Sequence, residues 1–226
     1  MLSIVATPEW RADHPGAVIG LLEVSGVDNT SLSPGLDERK RQTESALRER
    51  YRGFTRQALL ALPVMAAYAR YYRRFGKTYH VQLQLESIVL RDKRLPDVSS
   101  LVDANFIAEM DTLVLTAGHD VARLRAPVSM DVAKDGDGLT QMTGASRAVP
   151  AGDMIMRDAE GVCCSIIYGQ DGRSPISRET SHALYVAYAP AAVSFEIVEG
   201  HLQRVEEHVR LVSPSAVRQQ LRLLQA

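Results

Sequence analysis

The chain has 226 residues, 46% hydrophobic and 23% charged, with a formal net charge of −1; it is long enough to bury a sizeable core as one large domain or two small ones. Met1–Ala6 is too short an apolar run for a secretory signal, and no stretch approaches the length of a membrane span. The two cysteines, Cys163 and Cys164, are adjacent, so in a strand they point to opposite faces and make poor disulfide partners; a reduced, cytoplasmic protein is expected.

Ala17 to Val27, "AVIGLLEVSGV", is rich in branched residues and reads as a buried strand. "SLSPG", residues 31–35, reads as a loop, and "LDERKRQTESALRERY" as a surface helix with few apolar positions. From Thr55 the chain is helical, with Pro63 opening a second helix and Gly76 ending it. Val81, Leu85, Ile88 and Val89 form a helical stripe, although Val81, Leu83 and Leu85 also alternate as a strand does. Another helix, "DVSSLVDANFIAEMD", follows Pro96.

The character then changes. Short apolar runs at Thr112–Leu115, Val128–Val132, Asp153–Arg157, Val162–Tyr168 and Ala183–Ala189 are separated by turn chemistry such as "DGDG", "PAGD" and "DAEG". Val162–Tyr168 and Ala183–Ala189 are expected to be neighbouring strands. Helices return near Phe195, and "SPSA" is expected to cap a last helix ending near Leu224, so that residues 195–225 are helical. Segregated helices and strands imply an α+β fold, and nothing marks an inter-domain linker within 1–226.

Few motifs carry chemistry. "DGDG" lacks the ligand ladder and closing glutamate of a calcium loop and reads as a turn. His201 and His208 sit seven apart on a charged helix with no ligand set nearby and read as a solvated pair. Cys163, inside an apolar run, reads as a packed side chain rather than a nucleophile. Phosphate-cradling glycine loops and nucleophile elbows are missing, so no metal and no cofactor are expected. Between Arg39 and Lys77 eleven Lys/Arg stand against two acids, Glu44 and Glu49, a block that either meets phosphates or forms a solvated face. Asp103 and Asn105 are polar positions set among Leu101, Val102, Phe106 and Ile107.

The ordered segments "PGAVIGLLEV", "YARYYRRFG", "RLPDVSSLVDAN", "GHD" and "PAGDMIMRDAEGVCCSIIYGQDGRSPISRETSHALYVAYAP" resemble the tRNA-editing domain of the phenylalanyl-tRNA synthetase beta subunit, over about residues 15–190. The resemblance implies a freestanding aminoacyl-tRNA deacylase in which water attacks the ester and no protein nucleophile is required. It implies a pocket lined by Asn105, Gly118, His119, Asp171, Arg173 and Ser174, with Asp171 holding Arg173, and tRNA as partner. Arg52, Arg56, Arg70, Arg73 and Arg74 would then meet tRNA phosphates. A binder of tRNA or of an amino acid that kept the fold without the chemistry is the other implied reading. The chain departs from the family at the pocket: Phe106 stands at the offset of the family asparagine, with Asn105 one earlier. Ala117 stands at the family histidine and Val186 at the family glutamate. A pocket without partners for a phenolic hydroxyl penalises tyrosine, so a smaller or aliphatic side chain is expected.

Overall fold

The computed structural model describes residues 1–30 and 33–226. Its strands are β1 (Ile4–Ala6), β2 (Val18–Ser25), β3 (Thr116–Asp120), β4 (Val128–Val132), β5 (Gly138–Thr140), β6 (Ser146–Ala148), β7 (Met154–Asp158), β8 (Gly161–Ser165), β9 (Gly169–Gln170), β10 (His182–Ala189) and β11 (Val217–Gln225). Its α-helices are α1 (Pro8–Asp13), α2 (Pro34–Arg50), α3 (Arg56–Leu60), α4 (Pro63–Arg73), α5 (His80–Arg91), α6 (Ser100–Thr112) and α7 (Phe195–Val212). The fold is mixed α+β. One sheet runs β1-β4-β7-β8-β9, a second runs β11-β2-β10-β3, and β5-β6 is a separate hairpin. No described helix is long and apolar enough to cross a membrane.

Every pairing in the second sheet is antiparallel, and β2 and β10 are buried along nearly their whole length. Helix α7 lies directly on this sheet. A Cβ at Gly20 would come within 2.7 Å of Val198 and 2.8 Å of Leu202, so β2 requires glycine there for the helix to approach. The buried face of α7 repeats at helical spacing through Val198, Leu202, Val205 and Val209, and His201 and His208 fall on that same face. Both histidines are therefore buried, contrary to the solvated pair expected from the charged surroundings. His201 bonds Thr112 through Nδ1 at 2.7 Å and Thr116 through Nε2, and His208 Nδ1 bonds the Ala104 carbonyl at 3.2 Å.

Three further expectations are corrected. Residues 217–225 form an edge strand on β2 and not a helix; the open edge of β2 outweighs the helix propensity of Gln, Arg and Leu. Val162–Tyr168 and Ala183–Ala189 do not pair, since β8 and β10 belong to different sheets. The run Thr112–Leu115 is not a strand: α6 continues to Thr112, Leu113 stops it at φ 63°, and β3 begins at Thr116.

The region 80–91 settles as helix α5. In the expected loop 31–35, Ser31 and Leu32 lie outside the described residues, while Ser33 caps α2 and Pro34 opens it. Three buried tyrosines tie α4 and the start of α5 to β10, the end of β8 and the end of α6. Tyr68 donates to the Tyr188 carbonyl (2.7 Å), Tyr72 to Ile166 (2.5 Å) and Tyr79 to Leu113 (2.9 Å). The Tyr68 and Tyr79 rings stack at 4.2 Å.

Candidate functional site

Where the first turns of α6 meet the start of β3 and the β8–β9 end of the other sheet, a cleft of about 950 Å³ opens. Ser99, Val102, Asn105 and Phe106 of the α6 segment, Ala117 and Gly118 of β3, and Tyr168 and Ile176 are among its lining residues. Helix α6 enters at a fixed angle because Asn29 Oδ1 accepts from the Leu101 amide (2.9 Å) and its Nδ2 donates to Ser99 Oγ (3.2 Å). Asp103 anchors the same turn, accepting from the Val98 amide at 3.1 Å and from the fully buried Lys40 ammonium at 2.7 Å.

Asn105 is 5% exposed. Its Nδ2 donates to the Thr116 carbonyl at 3.3 Å while Oδ1 has no hydrogen-bond partner. Thr116 O can only accept, so the amide nitrogen must face it. The unpaired group on this cleft wall is therefore an acceptor that needs a donor. The Tyr188 hydroxyl, on a residue that also lines the cleft and is fully buried, has the Cys164 thiol as its neighbour. No Asp or Glu lies among the described lining residues.

His80 is the titratable group that sequence reasoning missed; a single histidine at a helix start carries no local signal. Tyr72 gives its one proton to Ile166, so the 3.3 Å contact between Tyr72 and His80 Nδ1 is a donation from the ring. That leaves Nε2 as a free base on a cleft-lining residue. Loss of water where the ring packs against Tyr72 and Tyr79 holds its pKa below the ordinary value, although other parts of the residue are open to solvent.

Of the residues expected in the pocket, Asn105 and Gly118 line this cleft. His119, Ser174 and Asp171 form a buried chain behind it: His119 Nδ1 lies 2.9 Å from Ser174 Oγ, which donates to Asp171 Oδ1 at 2.6 Å. The serine proton is committed to Asp171, so His119 must donate, and the order is wrong for activating Ser174 as a nucleophile. Burial, then the nearby Arg173 charge, lower the His119 pKa to about 3. Arg173 faces the neighbouring groove beside the β5-β6 hairpin and pairs with Asp158 (2.9 Å), Glu160 (3.2 Å) and Asp171 (3.3 Å). Val186 is fully buried and is not among the residues that line the cleft.

The basic block divides in two. Arg52 pairs with Glu49, Arg56 with Glu86 (2.9 Å), Arg48 with Asp92 (2.6 Å), and Lys40 with Asp97 (2.6 Å) and Asp103. Arg70, Arg73 and Arg74, at the end of α4, pair with no acid among the described residues. Cys163 and Cys164 are both buried thiols whose pKa burial pushes up, to about 12 for Cys164. Among the described residues no three His, Cys, Asp or Glu side chains converge as metal ligands.

No family model matches the chain, and no curated protein does. Among solved structures it is similar to an N-terminal fragment of the phenylalanyl-tRNA synthetase beta subunit from Pyrococcus horikoshii, with a TM-score of 0.49 and 8% identity. That similarity covers 97% of this chain and 54% of the fragment, so the chain spans about half the fragment's length. A likeness of that size does not assign a family.

Proposed function

We propose that the cleft holds the aminoacyl end of a mischarged tRNA and that the protein hydrolyses its ester. The observation that carries the reading is the unpaired Asn105 Oδ1 on the wall of an otherwise largely apolar cleft. An α-ammonium group supplies the missing donor, while the apolar walls take a side chain. The ordered sequence resemblance to an editing domain adds support.

In this reading a water gives a proton to His80 Nε2 and its oxygen attacks the ester carbonyl carbon. The tetrahedral intermediate then expels the ribose oxygen, which takes the proton back. Neutral imidazole at pH 7 suits that role. Because the wall offers no carboxylate for a phenolic hydroxyl, the favoured side chains are small or aliphatic. A methylene then discriminates by only about 1–3 kcal/mol, and specificity is broad.

The test is the initial rate of amino-acid release from tRNAs charged with tyrosine, valine, isoleucine, alanine and threonine, with wild type and His80→Gln. The expected result is release of a small or aliphatic amino acid, slowed about 10²-fold or more in the variant. Fastest release of tyrosine would overturn the specificity. Tight tRNA binding with no release would make the protein a binder.

A further inference from the structure

We infer that the hollow between the α1–β2 turn and the C-terminal end of α4 is a binding site for a phosphate-class oxyanion. It encloses about 220 Å³ and is lined by Asp13, His14, Arg70, Tyr71 and Arg74. At about 30 Å³ per water, that is room for roughly seven waters, or for one tetrahedral oxyanion and a few waters. The inference rests on this hollow and is independent of the reading of the cleft.

His14 is 5% exposed and its Nε2 makes no hydrogen bond. A buried ring nitrogen left in that state is costly. Arg70, in the last turn of α4, and Arg74, its C-cap, stand four apart, which puts two like charges on one side of the helix end. Neither has an acidic partner among the described residues, unlike Arg52 and Arg56 on the neighbouring segment. The Arg74 guanidinium lies 5.4 Å from both the Tyr71 and Phe75 rings, which holds it in place.

The Tyr71 hydroxyl is already spent, donating to Asp153 and accepting from the Met154 amide, both at 2.7 Å. Tyr71 therefore offers the hollow its ring, which stands 6.1 Å from that of His14. Arginines at a helix C-terminus also offset the helix dipole, but that leaves the His14 nitrogen unmet. An oxyanion in the hollow accepts from both guanidinium groups at once, beside the His14 ring.

Burial, then Arg74, lower the His14 pKa to about 4, with the exposed Asp13 pulling the other way. A bound anion reverses the Arg74 contribution and raises that value. Inorganic phosphate and the phosphodiesters of RNA share this chemistry, so both are tested. The His14 ring resonances are followed by NMR through a pH titration in chloride, in inorganic phosphate, and with a short single-stranded RNA oligonucleotide, at constant ionic strength. The expected result is a saturable rise of the His14 pKa in phosphate, in RNA, or in both. Arg70→Ala/Arg74→Ala, which changes exposed side chains, should bind at least about tenfold more weakly with an unchanged Tm in chloride. A response to RNA alone identifies phosphodiesters as the source, and one to phosphate alone identifies the free ion. A His14 titration that neither probe moves, or one moved equally in the double variant, overturns the inference.

Discussion

The Asn105 carboxamide nitrogen donates to the Thr116 carbonyl across 3.3 Å, joining the first turns of α6 to the first residue of β3. That bond orients the unpaired oxygen. Asn105→Asp places an acceptor against an acceptor, so it should destabilise more at pH 7 than Asn105→Ala, which loses about 1–3 kcal/mol. The gap should narrow toward pH 4, as the carboxyl regains a proton it can donate. Urea midpoints of the two variants measure this. An Asp variant as stable as the Ala variant at pH 7 reverses the assignment of oxygen and nitrogen.

Lys40 is fully buried between Asp97 and Asp103. Removing only the lysine strands the buried Asp103 carboxylate, so Lys40→Ala should cost about 3–5 kcal/mol. Lys40→Met/Asp103→Leu, which removes both charges, should recover most of it. Equal losses in the single and double variants would show that the pair's hydrogen bonds and volume matter and its charge does not.

What could be read in the sequence, and what could not, divides along one physical line. Local chemistry was legible: branched runs gave β2, β4, β7, β8 and β10 within a residue or two at their starts, and Pro63 and Gly76 bounded α4. Pairing was not. A strand run does not state which edge it fills, so the sequence alone reads β8 and β10 as neighbours and β11 as a helix. The charge count failed for the same reason. Within Arg39–Lys77 only two acids are visible, but folding brings Glu86, Asp92, Asp97 and Asp103 to Arg56, Arg48 and Lys40. At the cleft, Asn105 and Gly118 were legible as the polar and small positions of recognisable segments. His80 was not, because its placement depends on Tyr72 and the distant Ile166 carbonyl.

Gly118 lines the cleft at a close approach, since a Cβ there would lie 2.6 Å from Ile176 Cδ1. The obstacle is the far end of a flexible side chain, so Gly118→Ala should fold and lose about 1–3 kcal/mol as Ile176 turns aside. Gly118→Ala/Ile176→Val removes that end and should restore most of the stability. A double variant no better than Gly118→Ala would place the strain in the backbone of β3.

Buried titratable groups of opposite sense make the stability of the fold depend on pH. Burial holds the pKa of His14 at about 4 and those of His119 and His201 at about 3 in the folded state, against about 6.5 unfolded. Their contribution is complete above pH 6.5. Below it the unfolded chain takes up protons that the folded chain refuses, and each histidine costs about 1.4 kcal/mol per pH unit until its folded pKa is reached. Glu109 works in the opposite direction. Burial pushes its pKa up to about 8, so its folded carboxyl stays protonated while the unfolded one ionises from about pH 4.3. Its contribution is complete at acid pH and drains away as the pH rises to 8. Three histidines outweigh Glu109 below pH 6.5, even with the buried Asp153, raised to about 6, acting in the same sense as Glu109. Stability should therefore peak near pH 6.5 and decline on both sides. Urea midpoints from pH 4 to 9 should show Glu109→Gln removing the alkaline decline, and His201→Gln making the acid decline shallower. Parallel pH curves for wild type and both variants would mean that neither group carries a shifted pKa.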